Sequence, residues 1–143
     1  MTWYAAHIVM YVELQDRPQQ RFPVWENVVA IRAENEAEAF EKAEQYGRVE
    51  EGNDGGSFHW GKSRARWVFA GVRKLYESAF VGNAANDGVE LTYTEYELGS
   101  RDDVKRLAAG KQVQATFNDN YRCAQTKTDK TVGQSKSAKR KRA

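Results

Sequence analysis

The side chains best suited to chemistry are thinly spread along this chain. His7 and His59 are its two histidines and Cys123 its one cysteine, in 143 residues. A metal centre needs several His, Cys or carboxylate ligands at workable spacing, and these three fall in separate predicted elements. Nucleophilic catalysis needs a Ser or Cys beside a positioned base, and Cys123 stands at the start of a polar tail with nothing to hold it. The stretch EGNDGGSFHWGKS carries the letters of a phosphate loop from Gly56 to Lys62, followed by Ser63. Such a loop must follow a buried parallel strand and open a helix whose N-terminus faces the phosphates. Here a helix precedes it, a strand follows it, and Phe58, His59 and Trp60 fill its middle. The context rejects nucleotide binding, so no cofactor and no metal is expected.

Carboxylates are plentiful instead. Glu34, Glu36, Glu38, Glu41 and Glu44 crowd the stretch AENEAEAFEKAEQYGR. Paired catalytic carboxylates need a recessed setting that raises one pKa; these read as the solvated face of a helix. Asn35 is its N-cap and Glu38 stands where a reciprocal capping contact would come. Ala39, Phe40, Ala43, Tyr46 and Gly47 recur at helical spacing as the buried stripe, and acid near the N-terminus suits the helix dipole. No convergent catalytic set assembles, so the expectation is a protein that is not an enzyme.

The formal charge of +2 hides a division. Residues 122–143 hold eight Lys/Arg against Asp129, a net of +7, which leaves a net of −5 on residues 1–121. A single α+β domain over 1–121 with a disordered basic tail over 122–143 is expected, because the tail lacks bulky apolar residues. In that tail Lys136, Lys139, Arg140, Lys141 and Arg142 are candidates for phosphate contact, a salt-sensitive and sequence-independent attraction. The opening run MTWYAAHIVMYVELQ has no basic leader and is too short to span a bilayer. The lone cysteine fits a reducing compartment, so no membrane association and a cytoplasmic location are expected.

The elements that must position any site follow from periodicity. In residues 3–14, Tyr4, Ala6, Ile8, Met10, Val12 and Leu14 form one apolar face, and Trp3, His7, Val9, Tyr11 and Glu13 lie on the other. A period of two with branched and aromatic residues predicts a strand. VWENVVAIRAE predicts a second strand, paired antiparallel through a short connection, with Trp25, Val29 and Ile31 on the apolar side. After the helix and the glycine-rich loop, RARWVFAGVRKLYES predicts a third strand, with Trp67, Phe69, Gly71 and Leu75 opposed to Arg66, Val68, Ala70, Val72 and Lys74. An Asp-Gly turn leads to a fourth strand, VELTYTEYEL. Ser100 caps a short second helix that stops at Gly110, and residues 112–117 can make a fifth strand. The predicted fold is a small antiparallel sheet in ββαββ order, with one amphipathic helix on a face and a short second helix.

The order WYAAHIVMYVE, then WENVVAIRAENEAEAFEKAEQYGR, then RWVFAGVRKLYE resembles a small bacterial family known only as domain of unknown function 4288. The shared pattern is an N-terminal Trp-Tyr-Ala strand, a Glu-Ala-rich helix and a Trp-x-Phe-x-Gly-Val strand ending in Leu-Tyr, over about residues 2–78. The resemblance implies a bacterial protein and assigns no catalytic residue.

One constellation remains. If the helix covers the Tyr4 side, the opposite sheet face collects Trp3, His7, Tyr11, Arg32, Arg64, Arg66 and Lys74. Aromatics beside Arg and Lys suit a protein interface, and they can also stack single-stranded bases. The second helix can instead cover this face from within. The leading expectation is a non-enzymatic protein-binding or accessory module, with a protein partner or a second copy as ligand. The alternative is weak nucleic-acid binding through the tail and this face.

Overall fold

The structure, a computed structural model, describes residues 1–78 and 87–117. The alternating run at the start forms β1 (Thr2–Leu14), which turns through residues 15–21 into β2 (Phe22–Ala33). The pair is antiparallel, with Tyr4 opposite Ile31 and Met10 opposite Trp25. Then come α1 (Glu36–Val49), a 3-10 turn at Asp54–Gly56, β3 (His59–Trp60), β4 (Ser63–Glu77), β5 (Val89–Leu98), α2 (Arg101–Ala108) and β6 (Thr116–Phe117). The strands form one antiparallel sheet in the spatial order β3-β4-β1-β2-β5-β6. The expected ββαββ order therefore gains a two-residue strand in the glycine-rich loop, and the fifth strand shrinks to Thr116–Phe117.

β1 is a wall between two cores. Its even-numbered residues Tyr4 to Val12 join Trp25, Val29, Ile31 and Trp67 under α1. Its odd-numbered Val9 and Tyr11 join Phe22, Val24 and Leu98 under α2. Each face of the sheet thus carries one helix, and α2 covers part of the face opposite α1. α2 is short, but Val104, Leu107 and Ala108 are all buried against the sheet. The Ser100 hydroxyl accepts from the Asp103 N–H at 3.0 Å and starts it.

The cap of α1 is as expected: Asn35 Oδ1 accepts from the Glu38 N–H at 2.9 Å. The reciprocal contact is shifted by one residue, because Glu38 Oε2 accepts from the N–H of Glu34. Ala39, Ala43 and Gly47 form the contact line of the helix. Phe40, expected in the buried stripe, is 42% exposed. Three small residues let the helix lie so close to the sheet that its buried strip is narrow. Phe40 is turned about 100° from Ala39, which places it on the rim.

Gly47 shows how close that approach is. A Cβ built there would run into the ring of Phe69, within 2.9 Å of Cγ. Alanine is worth about 1 kcal/mol more than glycine in a helix interior, and overpacking costs about 1–3 kcal/mol. Gly47→Ala is therefore expected to lose about 1 kcal/mol net in urea denaturation. A stabilised variant would show that the Phe69 ring moves aside freely.

β4 departs from strict alternation. Lys74 and Val72 pair with the consecutive residues His7 and Ile8, and Gly71 and Phe69 pair with Val9 and Met10. Arg73 and Ala70 are the extra residues, and such bulges bend a strand and re-aim its side chains. Val72 therefore packs with Phe69 and Leu75 in the α1 core, not on the Tyr11 face. Arg73 turns to the α2 side, where its Nη1 donates to the carbonyls of Leu107 at 2.5 Å and Lys111 at 3.0 Å.

The phosphate-loop lookalike is a β-hairpin. Gly61 and Lys62 make its turn, with Gly61 at φ +62°, and Ser63 opens β4. Its aromatic middle belongs to the core. Phe58 stacks on Trp67 at 5.5 Å, while Trp60 and Trp67 meet Trp25 edge-on at 5.7 and 4.9 Å.

Candidate interaction surface

α2 covers the end of its sheet face occupied by Val9, Tyr11 and Val24. Strand pairing places a second group of side chains on the remaining half. Trp3 is opposite Arg32 and His7 opposite Val28 across β1 and β2, while Ala5 is opposite Tyr76 and His7 opposite Lys74 across β1 and β4. Tyr76 is 50% exposed and Lys74 is exposed. Trp3 is partly buried, with the Arg32 guanidinium 5.9 Å from its ring centroid, within cation–π range.

A buried carboxylate anchors the centre of this face. Glu26 Oε2 lies 2.6 Å from His7 Nδ1, and its Oε1 accepts from the Tyr96 hydroxyl at 3.1 Å. Burial pushes the Glu26 carboxyl up, but the His7 hydrogen bond and charge, the Tyr96 hydroxyl and the charge of Arg73 outweigh it. The net effect holds it below the usual carboxylate range. An ionised Glu26 can only accept, so His7 Nδ1 carries the proton. That places a hydrogen on Nδ1 and leaves Nε2 turned away from Glu26. The ring of Tyr76 meets His7 edge-on at 5.6 Å.

This arrangement has a pH signature. A carboxylate whose pKa is depressed by folding contributes stability above its unfolded pKa, and that contribution is lost as pH falls through the folded value. For Glu26 the contribution is complete above about pH 5 and declines below the ordinary value of 4.5. Glu26→Gln is expected to flatten that part of the acid limb in denaturation measured from neutral to acid pH. An unchanged acid limb would show that the His7–Glu26 contact is absent in solution.

Of the seven side chains grouped from the sequence, the structure brings Trp3, His7, Arg32 and Lys74 onto the open half and separates the other three. Tyr11 is buried beneath α2, edge-on to Phe22 at 6.1 Å. Arg66 Nε donates to Glu13 Oε1 at 2.9 Å, and Arg101 of α2 donates to Glu13 Oε2 at 3.1 Å. Glu13 of β1 thus bridges Arg66 of β4 and Arg101 of α2. Arg64 sits in the β3–β4 hairpin at the far end, its N–H donating to Asp16. Lys136, Lys139, Arg140, Lys141 and Arg142 lie outside the described residues, as does Cys123.

Glu26, Tyr76 and Tyr96 escaped the sequence reading. Glu26 left a signal, since a carboxylate interrupts the apolar run VWENVVAI at a position sharing its face with Val24 and Val28. Tyr76 left one too, since it stands two residues beyond Lys74 in the same strand, whereas Tyr96 needed the β2–β5 register.

A groove of about 310 Å³ lies on the opposite side, between α1 and the start of β5, lined by Ile31, Lys42, Tyr46, Val49 and Asp87 among others. Lys42 and Asp87 pair across it. Burial, with Glu50 and Glu90 nearby, pushes the Tyr46 hydroxyl up to about 12. Among the described residues no cluster of three or more His, Cys, Asp or Glu forms a metal-binding group. Among them, too, no helix is long and apolar enough to cross a membrane.

No curated protein and no solved structure matches this chain. A family model does, and it spans most of what has been described: β1, β2, α1, the aromatic hairpin, β4 and the first half of β5, ending before α2. By that match over residues 3–93, the chain belongs to the family described as Domain of unknown function (DUF4288).

Proposed function

We propose that the protein is a non-enzymatic binding module that docks a protein partner on the half of the sheet not covered by α2. The observation that carries this reading is the juxtaposition of half-exposed Tyr76 with exposed Lys74 beside His7, on the adjacent strands β4 and β1. Aromatic side chains with few rotatable bonds, flanked by cations, are the composition of interface centres. The outward carboxylates of α1 belong to the other face and do not oppose an approach from this side.

The test is site-specific photocrosslinking in the native host, with the crosslinking residue at Tyr76 and, as control, at exposed Phe40. A defined polypeptide adduct is expected at position 76, lost on Lys74→Glu and absent at position 40. Equal adducts at both positions would refute a dedicated surface.

The Arg32–Trp3 pair favours a second reading, in which a single strand of nucleic acid stacks on this face while the tail contacts phosphates. Binding would then weaken steeply with salt and require residues 136–142. A titration of full-length and tail-deleted protein at two salt concentrations separates the readings. Absence of binding at low salt removes the nucleic-acid reading.

A further inference from the structure

The open half of the sheet is selective in charge. Lys74 and Arg32 are its exposed cations, and neither forms an ion pair among the described residues. Its central carboxylate, Glu26, is buried and has both oxygens engaged, by His7 and by Tyr96. His7 has its Nδ1 on Glu26 and keeps part of its side chain exposed, at 19%. Its Nε2 has no hydrogen-bond partner among the described residues. Lys74 is its direct cross-strand neighbour on the same face, and such pairs hold their Cβ atoms about 4.5–5.5 Å apart.

We propose that His7 and Lys74 together form an anion-binding pair, and that the partner meets them with a carboxylate from an acidic, extended protein segment. This rests on the docking surface proposed above and names the chemistry of its ligand. A protonated imidazole donates through Nε2 while Nδ1 stays on Glu26, so a carboxylate between Nε2 and the Lys74 ammonium receives two charge-assisted hydrogen bonds. Tyr76, edge-on to the imidazole, supplies a half-exposed apolar ring beside that point.

An acidic peptide fits better than nucleic acid because the anion-accepting area is small. Two free cations on a body of net charge −5 cannot follow a phosphate backbone, but they suffice for one or two carboxylates. The groups that face His7 are Glu26 from β2, with Tyr96 of β5 behind it, and Lys74, Tyr76 and Arg73 from β4. A carboxylate at Nε2 is held more strongly by a protonated imidazole than by a neutral one, so binding takes up a proton and strengthens as pH falls.

The experiment titrates the full chain with an oligoglutamate peptide, an oligothymidylate of equal length and a neutral Gly-Ser peptide, following the His7 ring nitrogens by NMR. Oligoglutamate is expected to bind about tenfold more tightly at about pH 6 than at about pH 8, and to shift His7 Nε2 more than Nδ1. In His7→Gln, which retains a donor for Glu26, the ratio should fall to within about twofold. Lys74→Gln, at an exposed position, should weaken binding about fivefold at both pH values. Failure of oligoglutamate to bind at low salt overturns the proposal, as does a pH ratio that survives His7→Gln. Tighter binding of oligothymidylate overturns it in favour of a nucleic-acid surface. A Tyr76 adduct that persists when oligoglutamate fails would keep the docking surface and remove only its acidic ligand.

Discussion

Trp67→Ala is expected to destabilise the fold by about 3–5 kcal/mol, while Phe40→Ala costs less than about 1 kcal/mol. The two aromatics look alike in the sequence, and the structure separates them. Trp67 is 2% exposed and stands where Phe58, Trp25 and the α1 core converge. Truncating it removes a large buried ring and leaves a cavity walled by two other aromatic side chains, which cannot collapse to fill it. Phe40 lies on the rim of α1 and loses little. Chemical denaturation of both variants is the measurement. Equal losses would place α1 in a different rotation about its axis, with Phe40 turned inward.

Val104→Asp is expected to cost about 4 kcal/mol or more, or to release α2 altogether. Val104 is fully buried among Val9, Tyr11, Phe22 and Leu98, an environment that cannot solvate a carboxylate. An eight-residue helix is marginal on its own, so an undocked α2 should melt. The apolar floor it covers would then bind a hydrophobic dye. Burial raises the pKa of the introduced carboxyl, so the deficit should shrink below about pH 5 as it takes up a proton. Hydrogen exchange distinguishes the outcomes: global loss accelerates β1 and β2 throughout, whereas local release exposes α2 alone. A neutral substitution would mean that α2 contributes nothing to the second core.

Local pattern carried some features of this fold and left others out. The alternation in β1 was legible because one face is wholly apolar and the other mixed, and β1 pairs on both sides without bulges of its own. The helix caps at Asn35 and Ser100 were legible because capping is chemistry among residues three apart. β4 was misread at Gly71 and Val72 because a bulge inserts a residue without changing composition, so counting by twos placed both on the wrong face. Phe40 was misread because helical spacing identifies a stripe but not its width, and the width here is set by Ala39, Ala43 and Gly47. The His7–Glu26 contact joins residues 19 apart, and only the β1–β2 register reveals that they share a face. Arg66 was placed on the surface because nothing in its neighbourhood announced that Glu13 would engage it together with Arg101.

The wall formed by β1 also bears on engineering. The α1 core draws on one parity of its side chains and the second core on the other, so the two helices touch no common residue of that strand. α2 comes after β5 and is held by Val104, Leu107 and Ala108 and by the Glu13–Arg101 bridge. Exchanging it for a helix with the same apolar spacing and an arginine at its first position is expected to leave the strand registers intact. A longer graft would reach over His7 and Lys74, while a shorter one would bare Gly71, which Ala108 covers. The extent of the exposed platform could in this way be dialled by cap length, with the aromatic hairpin and the α1 core kept as an unmodified chassis.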